Sequence, residues 1–318
     1  MSPKIVKLKT KDDCELTIHT LMDRKESPYV LLIHGIGATG HMWLGNGEKF
    51  RLPFFLQEKG FNVCMLNLRN RWNYTNHQWD LDHYVEFDIP AVVDYILKRS
   101  SSKKFHIIGH SLGGLLAKMY QTHHPSHGVA SLVTLGSPGF RGKPKNGLFI
   151  ASAAPFIKKL GRYLPHARLH HLPDTLLESL LAITTVPFNP SQLRQRTKFR
   201  EHPWVKNYCA NVSFQEARQL VSILEEGGIK CQTHGFKYLD REHLVTAPIL
   251  AFAGGSDIVA PSGLIQDGLA PLSNTKKEFI LLDKKNTNSS YSHHDLVLGP
   301  KAHIDIWPRI HNFLQLNW

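Results

Sequence analysis

Residues 105–120, FHIIGHSLGGLLAKMY, limit what this chain can become more than any other stretch of it. An apolar strand-like run ends at Gly109, and an apolar helix-like run opens at Leu112. Between them stands G-x-S-x-G, Gly109-His110-Ser111-Leu112-Gly113, with Gly114 following. A strand that becomes a helix within so few residues needs flanking positions without Cβ atoms, because side chains there would collide across the turn. The turn holds the Ser111 hydroxyl clear of the backbone, at the positive end of the following helix. A strand leading straight into a helix is also the repeating unit of a parallel sheet covered on both faces.

The surrounding pattern repeats that unit. Residues 4–10 and 15–20 read as two short strands, and residues 29–34 (YVLLIH) as a strand buried on both faces. A helix over 48–59 stopping at Gly60, a strand over 61–68 and a helix over 82–98 follow. Val85, Ile89, Val92, Val93, Ile96 and Leu97 form the apolar face of the last, with Asp82 and Glu86 near its positive end. Residues 130–135, 248–253 and 278–282 read as further strands, and a terminal helix turns Ile306, Ile310, Phe313 and Leu314 inward. From 139 to 245 the alternation stops. This stretch carries Pro144, Pro155, Pro165, Pro173, Pro187 and Pro190, a helical segment at 174–184, and a predicted helix over 213–226 opened by a Ser213–Glu216 capping box. The expected division is a core of residues 1–138 and 246–318 with a helical cap inserted at 139–245.

Two further motifs give the serine something to work with. His34-Gly35-Ile36-Gly37 closes the 29–34 strand. A tetrahedral intermediate needs two fixed N–H donors near its oxyanion, and the amides of Ile36 and Leu112 are placed to supply them. A serine hydroxyl also needs a base, and the base a carboxylate that fixes its tautomer. Asp257 follows the 248–253 strand, and His293 and His294 follow the 278–282 strand, which gives the chain order serine, acid, histidine. Position alone leaves His293 and His294 both open. Asp283, a rival acid, is expected to face solvent beside Lys284 and Lys285.

Charge and cysteine usage narrow the field. Of the net charge of +12, residues 141–200 hold +9, from 11 Lys/Arg against 2 Asp/Glu, and the other 258 residues only +3. In that stretch the apolar run 147–157 is followed at once by Lys158, Lys159 and Arg162. This pattern suits an acyl chain with an anionic head group, or peripheral contact with an anionic membrane. Nothing resembles a zinc-finger, RRM or KH module and few aromatics interleave with the Arg194–Arg200 cluster, so no nucleic-acid partner is expected. The four cysteines (Cys14, Cys64, Cys209, Cys231) are scattered, and the twenty histidines include no H-E-x-x-H, so no metal or cofactor is assigned. The amino terminus lacks the apolar core of a signal peptide and no run reaches membrane-spanning length. The expected location is cytoplasmic, with possible membrane association through the basic cap.

These motifs resemble the α/β-hydrolase superfamily. More narrowly, the core is similar to the gastric and lysosomal acid lipases. The likeness rests on the HG-x-G loop followed by Trp43, on FFLQEKGFNVCMLNLRNR, on YVEFDIPAVVDYIL ahead of the serine strand, and on SHHDLVLG. It spans roughly residues 29–140 and 245–300, and the cap has no counterpart in it. The resemblance implies an α/β-hydrolase fold: a mostly parallel eight-stranded sheet with a helical cap insertion. It selects His293 as the base and gives Asp295 an orienting role. The implied activity is hydrolysis of a moderately hydrophobic carboxylic ester, lipid esters among the candidates, through an acyl-enzyme. Acyl transfer or thioester cleavage on the same triad is the alternative within enzymes, and a non-catalytic ligand-binding protein the alternative outside them.

Overall fold

A computed structural model describes residues 2–44, 51–69, 79–126, 128–147, 155, 166–167, 210–273 and 275–318. The helix predicted over 174–184 and nearly all of the basic 148–200 stretch lie outside them. The first half of the chain provides β1 (Lys4–Lys9), β2 (Glu15–Leu21), β3 (Tyr29–Ile33), α1 (Leu52–Glu58) and β4 (Asn62–Asn67). A helical run follows through α2 (Leu81–His83), a π-helical turn at Tyr84–Asp88, and α3 (Ile89–Arg99). Then come β5 (Phe105–His110), α4 (Leu112–His123) and β6 (Val129–Leu135). After a two-residue ladder of β7 (His166–Ala167) and β8 (Val212–Ser213) come α5 (Phe214–Val221), β9 (Ile249–Gly254), α6 (Ser262–Leu269) and β10 (Lys277–Leu282). Three one-turn helices, α7 (Lys284–Thr287), α8 (Asp295–Leu298) and α9 (Ala302–Asp305), lead to α10 (Trp307–Leu316).

Eight strands form one sheet in the order β1-β2-β4-β3-β5-β6-β9-β10. The pairs β1–β2 and β2–β4 are antiparallel, and all pairs from β4 to β10 are parallel. The fully apolar strands divide by the period of two that a pleated sheet imposes. Tyr29, Leu31 and Ile33 of β3 join a core beneath α3 and α4, while Val30 and Leu32 join a second core beneath α1 and α10. Phe140, Ile223, Ile229, Cys231, Tyr238 and Val245, at the two ends of the predicted insertion, belong to the first of these cores. No helix among the described residues is long and apolar enough to cross a membrane.

Several boundaries differ from the sequence expectation, each for a local reason. Proline suits only a helix's first turn, so Pro53 sets the start of α1 at Leu52. Asp80, not Asp82, caps the 81–99 run, accepting from the amides of Asp82 and His83. Asp82 is buried instead, where it accepts from the Tyr238 hydroxyl at 2.5 Å and from Gln219 and the Gln232 amide. The Ser213–Glu216 capping box is present, but α5 ends at Val221 and a single 3-10 turn replaces the rest of the predicted helix.

Arg69 joins distant parts of the core. It is 1% exposed and donates from its backbone amide and Nε to Asp88, and from both Nη atoms to Asp12. Asp88 ends the π-helical turn, so that turn faces a buried cation.

Candidate active site

Strand order reverses between β3 and β5. The chain steps from β3 out to β4, then returns to lay β5 against the other edge of β3. Connections leaving the two carboxyl ends therefore diverge and open a crevice above them. Ile33 is in register with Gly109, so the two ends are level.

Ser111 sits between β5 and α4 with φ 52° and ψ −119°, a conformation few side chains adopt. Its amide donates to the Leu135 carbonyl at 2.8 Å, which holds the turn against β6. A Cβ on Gly113 would overlap the Ile33 carbonyl oxygen, and one on Gly109 the backbone of Gly114. The glycines of the pentapeptide thus answer a collision, as the sequence argument requires. Leu112 opens α4, so its amide is among the first-turn N–H groups that the helix cannot use.

The loop after β3 reaches the same place: a Cβ on Gly35 would lie 3.2 Å from Ser111 Cβ and 3.0 Å from His110 Nδ1. His34 shapes this loop. Its Nε2 accepts from the Leu68 amide at 3.2 Å, so Nδ1 carries the proton and donates to the Gly35 carbonyl at 2.8 Å. Complete burial pushes the imidazole down to about 4, which keeps it neutral in this role. The Ala38 amide also donates to the Gly35 carbonyl. In a trans peptide the carbonyl and the next N–H point in opposite directions, so fixing Gly35 O aims the Ile36 N–H the other way. Ala210, where the described chain resumes, donates to Gly37 O at 2.9 Å and ties that part of the chain to this loop.

Asp257 and His293, 36 residues apart, meet at the carboxyl end of β9. His293 Nδ1 lies 2.7 Å from Asp257 Oδ2, and both side chains are almost fully buried. The second carboxylate oxygen accepts from the amides of Val259 and Ala260. With Nδ1 donating to an acceptor held in this way, Nε2 is left with its lone pair. His110 packs its ring 4.7 Å from that of His293 and donates from Nε2 to the His293 carbonyl at 3.0 Å. Burial, reinforced by the neighbouring histidines, holds His110 well below the ordinary imidazole range. His294 stands with its ring 5.6 Å from that of His293. Asp295 accepts from the amide and hydroxyl of Ser292 and so fixes the residue before the histidine. Asp283 caps α7 through the amides of Lys285 and Asn286.

Sequence reasoning missed Gly136. It follows β6 with φ +62°, and a Cβ there would come within 3.1 Å of His293 Nδ1 and 3.2 Å of Asp257 Oδ2. The signal was available: Leu135-Gly136-Ser137 ends a strand on a glycine, as the serine strand does. Among the described residues the clusters of metal-type side chains lie away from this crevice, around His123 at the far end of α4.

Comparison with known proteins follows the same lines. The profile of the alpha/beta hydrolase fold family matches residues 28–283. The chain is 24% identical to a tear acid lipase-like protein of Mesocricetus auratus over 86% of this chain and 76% of that protein. It is 23% identical to gastric triacylglycerol lipase of Rattus norvegicus over 88% and 78% of the two chains. Among solved structures, the monoacylglycerol lipase of Paleococcus ferrophilus superposes with a TM-score of 0.60 at 16% identity, covering 95% of this chain and 99% of that one. A thermophilic esterase of Thermogutta terrifontis superposes with a TM-score of 0.64 at 14% identity, covering 98% of each. The structural likenesses speak to the fold alone, and the family match spans most of the chain. With the sheet order and the serine turn described above, it follows that the chain belongs to the alpha/beta hydrolase fold family.

Proposed function

We propose that the chain is a serine carboxylic-ester hydrolase working through an acyl-enzyme, with Ser111, His293 and Asp257 as its triad. The observation that carries this is the buried 2.7 Å contact between His293 and Asp257, on a loop that His110 ties to the serine turn. His293 Nε2 takes the Ser111 proton as Oγ attacks the ester carbonyl carbon. The Ile36 and Leu112 amides receive the oxyanion of the tetrahedral intermediate. The intermediate collapses as His293 returns its proton to the departing alcohol, which leaves an acyl ester on Ser111. Water, deprotonated by His293, attacks that ester and the carboxylic acid departs. Asp257 stays ionised throughout and balances the imidazolium.

The names of the relatives favour lipid-like esters. The insertion at 139–245, apolar and then cationic in sequence, is read as the cap that selects a hydrophobic acyl chain beside an anionic head group. A panel of p-nitrophenyl esters of increasing acyl length, with fluorophosphonate labelling of Ser111, tests the proposal. Short or medium esters should be cleaved, the free acid should be the main product, and Ser111 should carry the label. Failure of both cleavage and labelling would leave a ligand-binding protein on a hydrolase scaffold, and a predominant transfer product would make it an acyltransferase.

Gly136→Ala checks the acid–histidine pair separately. The added methyl group must push His293 or Asp257 aside, so kcat should fall by roughly 10²-fold with little change in KM. The cost to stability should be about 1 kcal/mol, from placing a Cβ at positive φ. An unchanged kcat in a folded variant would show that the pair tolerates displacement.

A further inference from the structure

At the opposite end of α4 from Ser111 lies a group of side chains that ester hydrolysis does not use. Ser111 precedes the first residue of this twelve-residue helix and His123 is its last, about 18 Å away along the axis. His123 Nδ1 is 4.0 Å from Glu86 Oε1, and His234 Nε2 is 3.2 Å from that same oxygen. The three ligand atoms lie within 4.8 Å of one another. Glu86 comes from the π-helical turn, a local irregularity that often marks a functional position, and His234 from the loop that follows α5.

The hydrogen-bond pattern is what makes the group unusual. The Tyr238 hydroxyl has one proton, and it goes to Asp82 Oδ1 at 2.5 Å. His123 Nε2, 2.8 Å from the same hydroxyl oxygen, must therefore be the donor in that contact. With Nε2 committed to Tyr238, Nδ1 is the ring atom left for another partner. Nδ1 faces Glu86 Oε1, a buried oxygen with no hydrogen bond among the described residues. A buried carboxylate oxygen without a donor is costly unless something positive lies beside it.

Other neighbours do not fill that role. Asp82 is occupied by Tyr238, Gln219 and Gln232. Cys231 Sγ accepts from the His234 amide and groups with Asp82 and His123, not with Glu86 and His234. Arg241 is near His123, but its guanidinium lies over the Phe236 ring at 3.6 Å.

We propose that Glu86, His123 and His234 bind one zinc ion, at a site remote from Ser111 that clamps the 231–236 loop to the core. Two imidazoles and a carboxylate make a donor set suited to Zn²⁺. Zinc bonds of about 2.0–2.1 Å in tetrahedral array place ligand atoms about 3.3 Å apart, near the His234–Glu86 spacing and within a small closure of the His123–Glu86 spacing. The Asp82–Tyr238–His123 chain does what the outer partners of zinc-bound histidines do: it fixes the tautomer and raises the basicity of the ligating nitrogen. His234 is more than half exposed, so the remaining coordination position opens to solvent.

The inference stands apart from the ester chemistry, and its test does not depend on it. Chain purified without a polyhistidine tag is stripped with EDTA and titrated with zinc chloride against a chromophoric chelator. One equivalent should bind more tightly than the background of surface histidines and should raise Tm. His234→Ala and Glu86→Gln should each weaken that equivalent by well over the roughly tenfold that loss of a supporting hydrogen bond costs, and should abolish the rise in Tm. Ester cleavage by His234→Ala should match that of the wild type. Equal zinc uptake by wild type and both variants, or a Tm indifferent to zinc, would overturn the proposal.

Discussion

Ser111→Ala is expected to abolish ester turnover, lowering kcat by about 10⁴- to 10⁶-fold while leaving the fold intact. The loss should be nearly as large as that of Ser111→Ala with His293→Ala, because a base without a nucleophile contributes little. Ser111→Gly separates chemistry from conformation. At φ 52° and ψ −119° the serine is held outside the favoured regions, at a cost of order 1–3 kcal/mol that glycine does not bear. The glycine variant should therefore be inactive yet more stable than wild type by about 1 kcal/mol, visible as a rise in Tm. A binding protein that merely kept the scaffold would have no use for that strain. Retention of turnover by the alanine variant would transfer the nucleophile's role to another residue.

How much of this was legible in the chain depends on the range of the interaction concerned. The strand β3 and the turn at Ser111 could be read because their causes lie within a few residues: an unbroken apolar run, and glycines where Cβ atoms would collide. Chain order points to Asp257 and to the pair His293–His294, and the family resemblance selects His293, although only the fold brings 36 residues of separation down to 2.7 Å. The helix over 82–98 was visible from its apolar spacing, but its π-helical turn was not. That turn answers to Arg69, which lies outside the helix and leaves no mark on its periodicity. Gly136 and the Glu86–His123–His234 group failed for the same reason, since what gives them meaning is a neighbour from a distant element. The 148–209 stretch, where the sequence places acyl-chain selection, contributes only Pro155, His166 and Ala167 to the described residues.

Arg69 provides the largest expected effect on stability. Asp88 has no exposure, and burial pushes its carboxyl up to about 6 against the pull of the guanidinium beside it. Arg69→Met removes that cation and leaves a charge in the core with only backbone for company. The expected cost is about 3–5 kcal/mol, or roughly 5–8 °C in Tm for a chain of this size. The sign with pH follows from the same group. Its folded pKa is raised, so neutral Asp88 is what the variant tolerates, and the deficit against wild type should shrink as pH falls from 7 toward 5. Arg69→Met combined with Asp88→Leu should regain most of the loss, because two apolar side chains can occupy the volume of a buried ion pair without its desolvation penalty. Asp12, about one-quarter exposed, can then turn to water. A double variant no more stable than Arg69→Met would mean that the hydrogen bond from the Arg69 amide to Asp88, and not the charge pair, holds the π-helical turn in place.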